Sequence, residues 1–210
     1  MNPLEALAHS SLWSQPPLAI VATIVVDVAF LLVALAVIVD FRNYHRQSRK
    51  VVGSDRSFVE TGSMTAFFVA YYLVIRFRWL ELQAPTPVRT GMVVAGLVIV
   101  VVGVFFNVYG RAVLKSSWAN QIRIYEGQRL HTTGPFSVVR HPLYASLIWI
   151  FIGGSLIYSN ALSLVITLGV FVPMMLVRAG KEDALLLKTF GGEFEAYRSR
   201  TGMFFPRVWG

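Results

Sequence analysis

The chain contains no cysteine, which excludes disulfides and thiolate metal sites and leaves the redox compartment unread. Charge is also scarce. Only 14% of the 210 residues are Asp, Glu, Lys or Arg, whereas 55% are apolar, a balance too hydrophobic for a soluble domain of this length. The few charges are mostly basic, giving a net charge of +8. A basic surplus suits nucleic acid when it is clustered, but here it sorts by loop, as membrane orientation requires.

Apolar runs at roughly 18–39, 58–75 and 90–109 are long enough to cross about 30 Å of hydrocarbon at about 1.5 Å per residue. Two further runs, 143–158 and 161–177, are shorter and would cross as a tight pair. The expectation is an all-α integral membrane protein with about five transmembrane helices. No basic segment precedes the first run, and it exceeds a usual signal core, so it reads as a mature helix.

Of the 19 basic residues, five lie in the first loop (Arg42, Arg46, Arg49, Lys50, Arg56), five in the third (Arg111, Lys115, Arg123, Arg129, Arg140) and six from Arg178 onward. Only Arg76, Arg78 and Arg89 fall on the other side. That distribution puts the N-terminus outside and the C-terminus in the cytoplasm. Within the spans, Asp27 is costly in lipid and should face the bundle or an interface, and Glu60 reads as an interfacial cap. Gly91, Gly96 and Gly103 suit close helix packing. Pro173 should distort the fifth span and open a groove beside it.

Residues 1–110 carry the first three spans, and residues 111–210 form a second unit with a polar loop, a helical hairpin and a polar tail. The loop ends in Gly134-Pro135-Phe136, then Arg140-His141-Pro142-Leu143-Tyr144, a turn and a basic pair before a helix-starting proline. Farther on, Arg178 stands one turn before Glu182-Asp183, on a shared helix face. From Lys181 the tail reads as a short helix stopped by Gly191-Gly192, then a second polar helix through Arg200. Taken singly, Arg140-His141-Pro142 would be an interfacial anchor and Arg178 with Glu182 a surface ion pair. Together they are the donor and acceptor set a zwitterionic sulfonium needs, with a carboxylate for an ammonium, a guanidinium for a carboxylate and an aromatic ring for the cation.

Over residues 115–206 the sequence resembles the isoprenylcysteine carboxyl methyltransferases and the related integral membrane phospholipid methyltransferases. The shared elements are the Gly134-Pro135-Phe136 turn, Val139-Arg140-His141-Pro142-x-Tyr144, Arg178 with its acidic pair, Phe190-Gly191 and Tyr197. The resemblance implies S-adenosyl-L-methionine as cofactor, S-adenosyl-L-homocysteine as product and no metal. Gln121, Gln128, Leu130, His131, Gly134, Phe136, His141, Pro142, Leu143, Tyr144, Glu182 and Asp183 would then surround the cofactor. Arg178 would meet the substrate, with Arg140 beside it at the reaction centre. Gln128, Phe136 and Asp183 stand where many members have His, Tyr and Glu.

The cofactor site would form at the cytoplasmic face from the 110–142 loop and the C-terminal helices. Its acceptor would be a lipid, a prenylated peptide or a lipophilic small molecule, methylated on oxygen, nitrogen or sulfur, with membrane lipids as surroundings and no nucleic acid partner. Two other readings compete. A sterol-type reductase binding NADPH has a similar C-terminal segment but is usually built from more helices. A transporter subunit or scaffold would place function at Asp27 and Glu60. The basic-residue count yields a direct test: a single cysteine replacing Ser48 or Ser116 should react with an impermeant reagent only after cells are permeabilised, and labelling in intact cells would reverse the orientation.

Overall fold

The computed structural model describes residues 17–45, 51–55, 58–114, 122–125 and 129–207. Helices dominate: α1 (Pro17–His45), α2 (Phe58–Arg76), α3 (Thr86–Leu114), the single turn α4 (Pro135–Val138), α5 (Pro142–Ile157), α6 (Ala161–Ile166), α7 (Val172–Phe190) and α8 (Gly192–Arg200). The exception to an all-α fold is a two-stranded antiparallel ribbon, β1 (Val51–Asp55) on β2 (Ile122–Tyr125), which ties the first and third loops together.

Three helical stretches, Pro17–Ala36, Thr86–Leu114 and Ala161–Phe190, are long and apolar enough to cross a membrane. Gly62–Arg76 and Pro142–Ile157 are apolar but shorter. At 16 residues, α5 spans only about 24 Å.

The seam between α3 and α5 is the closest contact in the bundle. Buried positions on α3 are Val93, Gly96, Val100, Gly103, Asn107 and Gly110, the three-four spacing that keeps one stripe on a partner helix. At Gly96 an added Cβ would lie 2.5 Å from the carbonyl oxygen of Gly153, and at Gly103 it would lie 2.8 Å from Ile150 and 3.0 Å from the carbonyl oxygen of Ser146. Both glycines therefore serve the close approach expected of them. Gly91 does not, since among the described residues nothing would lie within 4 Å of a Cβ added there. Between lipid-solvated helices such approach matters because dispersion contacts and hydrogen bonds, rather than release of water, hold them together. One such bond is buried here: Asn107 Nδ2 donates to Ser146 Oγ at 2.8 Å.

Two apolar clusters flank the seam. Ala22 and Ala29 of α1 meet Val93, Val100 and Ile157, while Phe67 of α2 meets Ala145, Ile148, Phe171, Met175 and Ala179. Phe67 stacks on Phe171 with ring centres 4.6 Å apart. Asp27 is exposed on α1 rather than turned into the bundle; its charge acts on Tyr158 at the end of α5. The side chain of Glu60 lies outside the described residues.

At the end of the bundle opposite the Arg-His pair, the loop after α2 locks onto the turn before α6. Leu82 N–H donates to Ser159 O at 2.7 Å, Ala161 N–H to Leu80 O at 3.1 Å and Asn160 Nδ2 to Trp79 O at 2.8 Å. Asn160 also caps α6 by accepting from Ser163 N–H.

The distortion expected at Pro173 is a π turn over Thr167–Phe171, joining α6 and α7 into one helical run. A proline cannot donate to the ladder, and its ring crowds the carbonyl four residues earlier. Widening the preceding turn relieves that clash, and Val172 N–H bonds back to Thr167 O, five residues away. Beyond Arg178 the helix continues unbroken to Phe190, so the short tail helix expected from Lys181 is the distal part of α7. Gly191, at φ 52°, ends it as expected.

Candidate active site

The polar motif is assembled from three segments that meet at the N-terminal end of α5. Gly134 has φ 61°, and a Cβ there would sit 3.1 Å from the Tyr109 hydroxyl, so the backbone turn of α4 calls for glycine. After α4 the chain straightens. Arg140 N–H donates to Gly202 O at 2.8 Å and His141 N–H to Met203 O at 3.2 Å, so the tail after α8 lies beside Val139–His141 as a short parallel strap. The Tyr197 hydroxyl, buried with α8, donates to Phe136 O at 2.6 Å. Pro142 then opens α5 at a position whose N–H needs no partner.

His141 is buried, and its ring faces the acidic pair of α7. Nε2 lies 2.7 Å from Asp183 Oδ1, and Nδ1 lies 3.5 Å from Glu182 Oε2. Its ring runs nearly parallel to that of Tyr144, with centres 5.6 Å apart and 13° between planes, and meets Phe204 edge-on. Burial opposes the charged imidazole, but the hydrogen bonds to Asp183 and Glu182 outweigh it and raise the pKa to about 9. His141 is therefore an imidazolium at neutral pH.

Arg140 reaches the other oxygen of Asp183, Nη2 to Oδ2, at 3.3 Å. Its Nη1 donates to Thr201 O and lies 3.4 Å from Arg198 O, so this guanidinium joins α7 to the tail. Its Nε is buried without a hydrogen-bond partner. Asp183 thus accepts from two cations, and only 8% of its side chain is exposed. Glu182, one residue earlier, keeps 35% of its side chain exposed.

Arg178 lies one turn before Glu182 and is buried. Its Nε donates to the Tyr144 hydroxyl at 3.0 Å, and its guanidinium carbon sits 5.6 Å from the Tyr144 ring centre. Nη1 lies 3.3 Å from Met64 Sδ on α2. Arg178 closes one end of a cavity of about 300 Å³ between α2 and α7, lined also by Ser63, Met64, Pro173, Met174, Met175 and Val177. Apart from Arg178 and Ser63, the lining is apolar. This is the groove expected beside Pro173.

Of the residues singled out from sequence, the fold brings Arg140, His141, Tyr144, Arg178, Glu182 and Asp183 into one connected cluster. Phe136 is buried beneath it, with its ring centre 6.2 Å from that of His131. His131 is half-buried, its pKa lowered by burial, and its Nε2 is buried without a partner. Leu130 and Gly134 flank it on the approach to α4, and Leu143 follows Pro142 against Gly110. Gln121 and Gln128 lie outside the described residues. Arg140 and Arg178 line different cavities, Arg140 facing the tail and Arg178 facing α2.

Two contributors were not anticipated. Met64 reaches Arg178, and Ser63 lines the same cavity, from a helix that carries no recognisable motif, and a contact spanning 114 residues leaves no local trace. The strap Thr201–Phe204 supports Val139–His141 through backbone bonds, the Arg140 guanidinium on Thr201 O and the Phe204 ring against His141. Gly202 is its one sequence signal, since a Cβ there would collide with the carbonyl oxygen of Phe205.

The isoprenylcysteine carboxyl methyltransferase (ICMT) family profile matches residues 95–188. A nickel-cobalt-cadmium resistance protein of Alcaligenes xylosoxydans xylosoxydans is 40% identical over 80 residues, 38% of this chain and 37% of that protein. The protein-S-isoprenylcysteine O-methyltransferase of Saccharomyces cerevisiae is 34% identical over 76 residues, 36% of this chain and 32% of that enzyme. The chain thus spans about a third of the length of these curated relatives. The matched segment runs from the α3–α5 seam through the acidic pair of α7, and over that segment the chain is similar to the isoprenylcysteine carboxyl methyltransferase family.

Proposed function

We propose that the chain transfers a methyl group from S-adenosylmethionine to a lipophilic acceptor at the membrane surface, with carboxyl O-methylation of a prenylated cysteine as the closest parallel. The observation that carries this reading is the placement of Arg178. It ends an apolar groove on one side and stands one helical turn from the half-open Glu182 on the other.

The residues suit such a cofactor. Glu182 retains exposed side-chain surface beside a fixed imidazolium, and the unpartnered Nε2 of His131 offers a buried hydrogen-bonding atom on the approach to α4. Leu130, Gly134, Phe136 and His141 to Tyr144 complete that wall, and Gln121 and Gln128 belong to it by resemblance. When bound, the cofactor supplies an activated methyl on a positively charged sulfur. The protein's task is then alignment, the main source of rate in a displacement of this kind.

On the acceptor side, the groove takes the apolar body and Arg178 takes the polar end. A guanidinium attracts a carboxylate and repels an ammonium. The state of His141 points the same way. A carboxylate needs no deprotonation before methylation, whereas an amine does, and an imidazole already protonated at neutral pH is unsuited to act as base. Arg140 acts here through Asp183, holding the acidic pair and the strap in register. This reading takes five spans with a cytoplasmic C-terminus, and so a site at the inner membrane surface; the helix positions and the basic-residue asymmetry support it.

Substitutions at the two positions one turn apart should separate their roles. Glu182→Gln keeps shape but removes the charge, and loss of a charge-assisted hydrogen bond of about 1.5–3 kcal/mol should weaken S-adenosylmethionine binding roughly tenfold to a hundredfold. Arg178→Ala should bind cofactor normally yet lose turnover, with lysine restoring it only in part. Calorimetric titration and turnover with a prenylated cysteine check this; near-normal turnover of Arg178→Ala, or undiminished cofactor affinity of Glu182→Gln, removes the assignment.

The raised pKa of His141 gives a pH signature. Its stabilisation is fully present below its ordinary value of 6.5 and is lost as pH rises through about 9. The melting temperature should therefore fall across that window, and His141→Gln should flatten the fall. An unchanged slope in the variant would assign the pH dependence to another group.

A further inference from the structure

The tail side of Arg140 forms a second cavity that the proposed methyl transfer does not use. Its volume is about 530 Å³, and its charged lining is Arg140, Arg198, Arg207 and Glu195, joined by Ser199 and Thr201. Three guanidiniums and one carboxylate line it; with Arg140 already paired to Asp183, Arg198 and Arg207 against Glu195 leave a surplus of one positive charge. Arg140 is deeply buried, with 9% of its side chain exposed, and its Nε lacks a hydrogen-bond partner. Arg207 Nη1 donates to Ser199 O at 2.6 Å and so fixes the rim of the cavity to the end of α8.

The surroundings indicate what fills it. Two residues before Arg207 the chain exposes Phe205, 62% accessible, whose ring centre lies 6.3 Å from that of Trp149 on α5. Trp149 packs in turn on Phe106 of α3 at 5.2 Å. It stands seven residues beyond Pro142, about 10 Å along α5 from the end that carries the Arg-His pair. The tail therefore presents a cationic cavity at the end of the bundle and an exposed aromatic ring lower along its lipid-facing side. Arginines at headgroup level above aromatic and aliphatic surface form the pattern that anionic lipids satisfy.

We infer that this cavity binds the phosphate of an anionic glycerophospholipid, whose acyl chains lie along Phe205 and Trp149. The bound lipid would clamp the strap that supports Val139–His141, so membrane composition would set the stability of the tail. The inference is independent of the methyl acceptor, which the groove at Arg178 would take.

The full chain in nanodiscs of phosphatidylcholine, alone or mixed with phosphatidylglycerol of the same acyl chains, provides the test. Phosphatidylglycerol should raise the melting temperature and stay bound in native mass spectrometry. Arg198→Gln with Arg207→Gln should lower its retention about tenfold. Should the double variant not fold, Arg198→Gln alone gives the same comparison, because that side chain is exposed. Inorganic phosphate added to phosphatidylcholine discs should stabilise far less than phosphatidylglycerol. A parent protein indifferent to phosphatidylglycerol, variants that retain it equally, or inorganic phosphate that matches it would each overturn the lipid site.

Discussion

A buried imidazolium held between consecutive carboxylates of one helix is the constraint on which the polar end of this molecule turns. His141 stands at the first residue before α5, and Glu182 and Asp183 stand on the distal part of α7. Their contact fixes where two membrane helices end relative to each other. Desolvating a charge is expensive unless partners surround it, and here each charge has at least one: Asp183 accepts from both His141 and Arg140, and Arg140 carries the link on to the tail. The arrangement leaves Glu182 as the partly open carboxylate and Arg178, one turn earlier, as the cation that faces the groove.

The apolar part of the bundle makes that geometry possible. Gly96 and Gly103 let α3 approach α5 closely enough for carbonyls and side chains to meet, which fixes the position of α5 and hence of His141 at its start. On the other flank Phe67, Phe151 and Phe171 interlock. The π turn before Pro173 lies on the same helical run, and the groove at Arg178 opens just beyond it. Helix packing, a proline and an ion cluster thus combine to put an apolar cavity and a charged site on neighbouring turns.

Much of this was readable from the chain. Long uncharged runs located the helices because crossing hydrocarbon demands length and apolarity together, and the Gly134 turn, the Arg-His-Pro segment and the acidic pair stood out because each breaks the apolar pattern. What could not be read depended on distant partners. Met64 is one apolar residue among many until α2 is seen beside α7. The strap at Thr201–Phe204 works largely through backbone bonds, which any sequence can make, and its side-chain contacts to Arg140 and His141 span some 60 residues. Arg140 and Arg178 were both expected at the reaction centre; the fold turns the Arg140 guanidinium toward Asp183 and the tail and the Arg178 guanidinium toward the groove, which no local pattern announces. Gly91 resembled Gly96 and Gly103, but among the described residues no atom lies within 4 Å of where its Cβ would be.

The central claim is that this cluster moves a methyl group onto a lipophilic acceptor. Incubating the purified protein with S-adenosylmethionine carrying a labelled methyl, together with a lipid extract and a prenylated cysteine, tests it most directly. The account predicts label in a lipid-soluble product as a base-labile methyl ester, formed in proportion to enzyme. Folded protein that binds S-adenosylmethionine yet labels no lipophilic acceptor, or that labels only amine nitrogen, would contradict it.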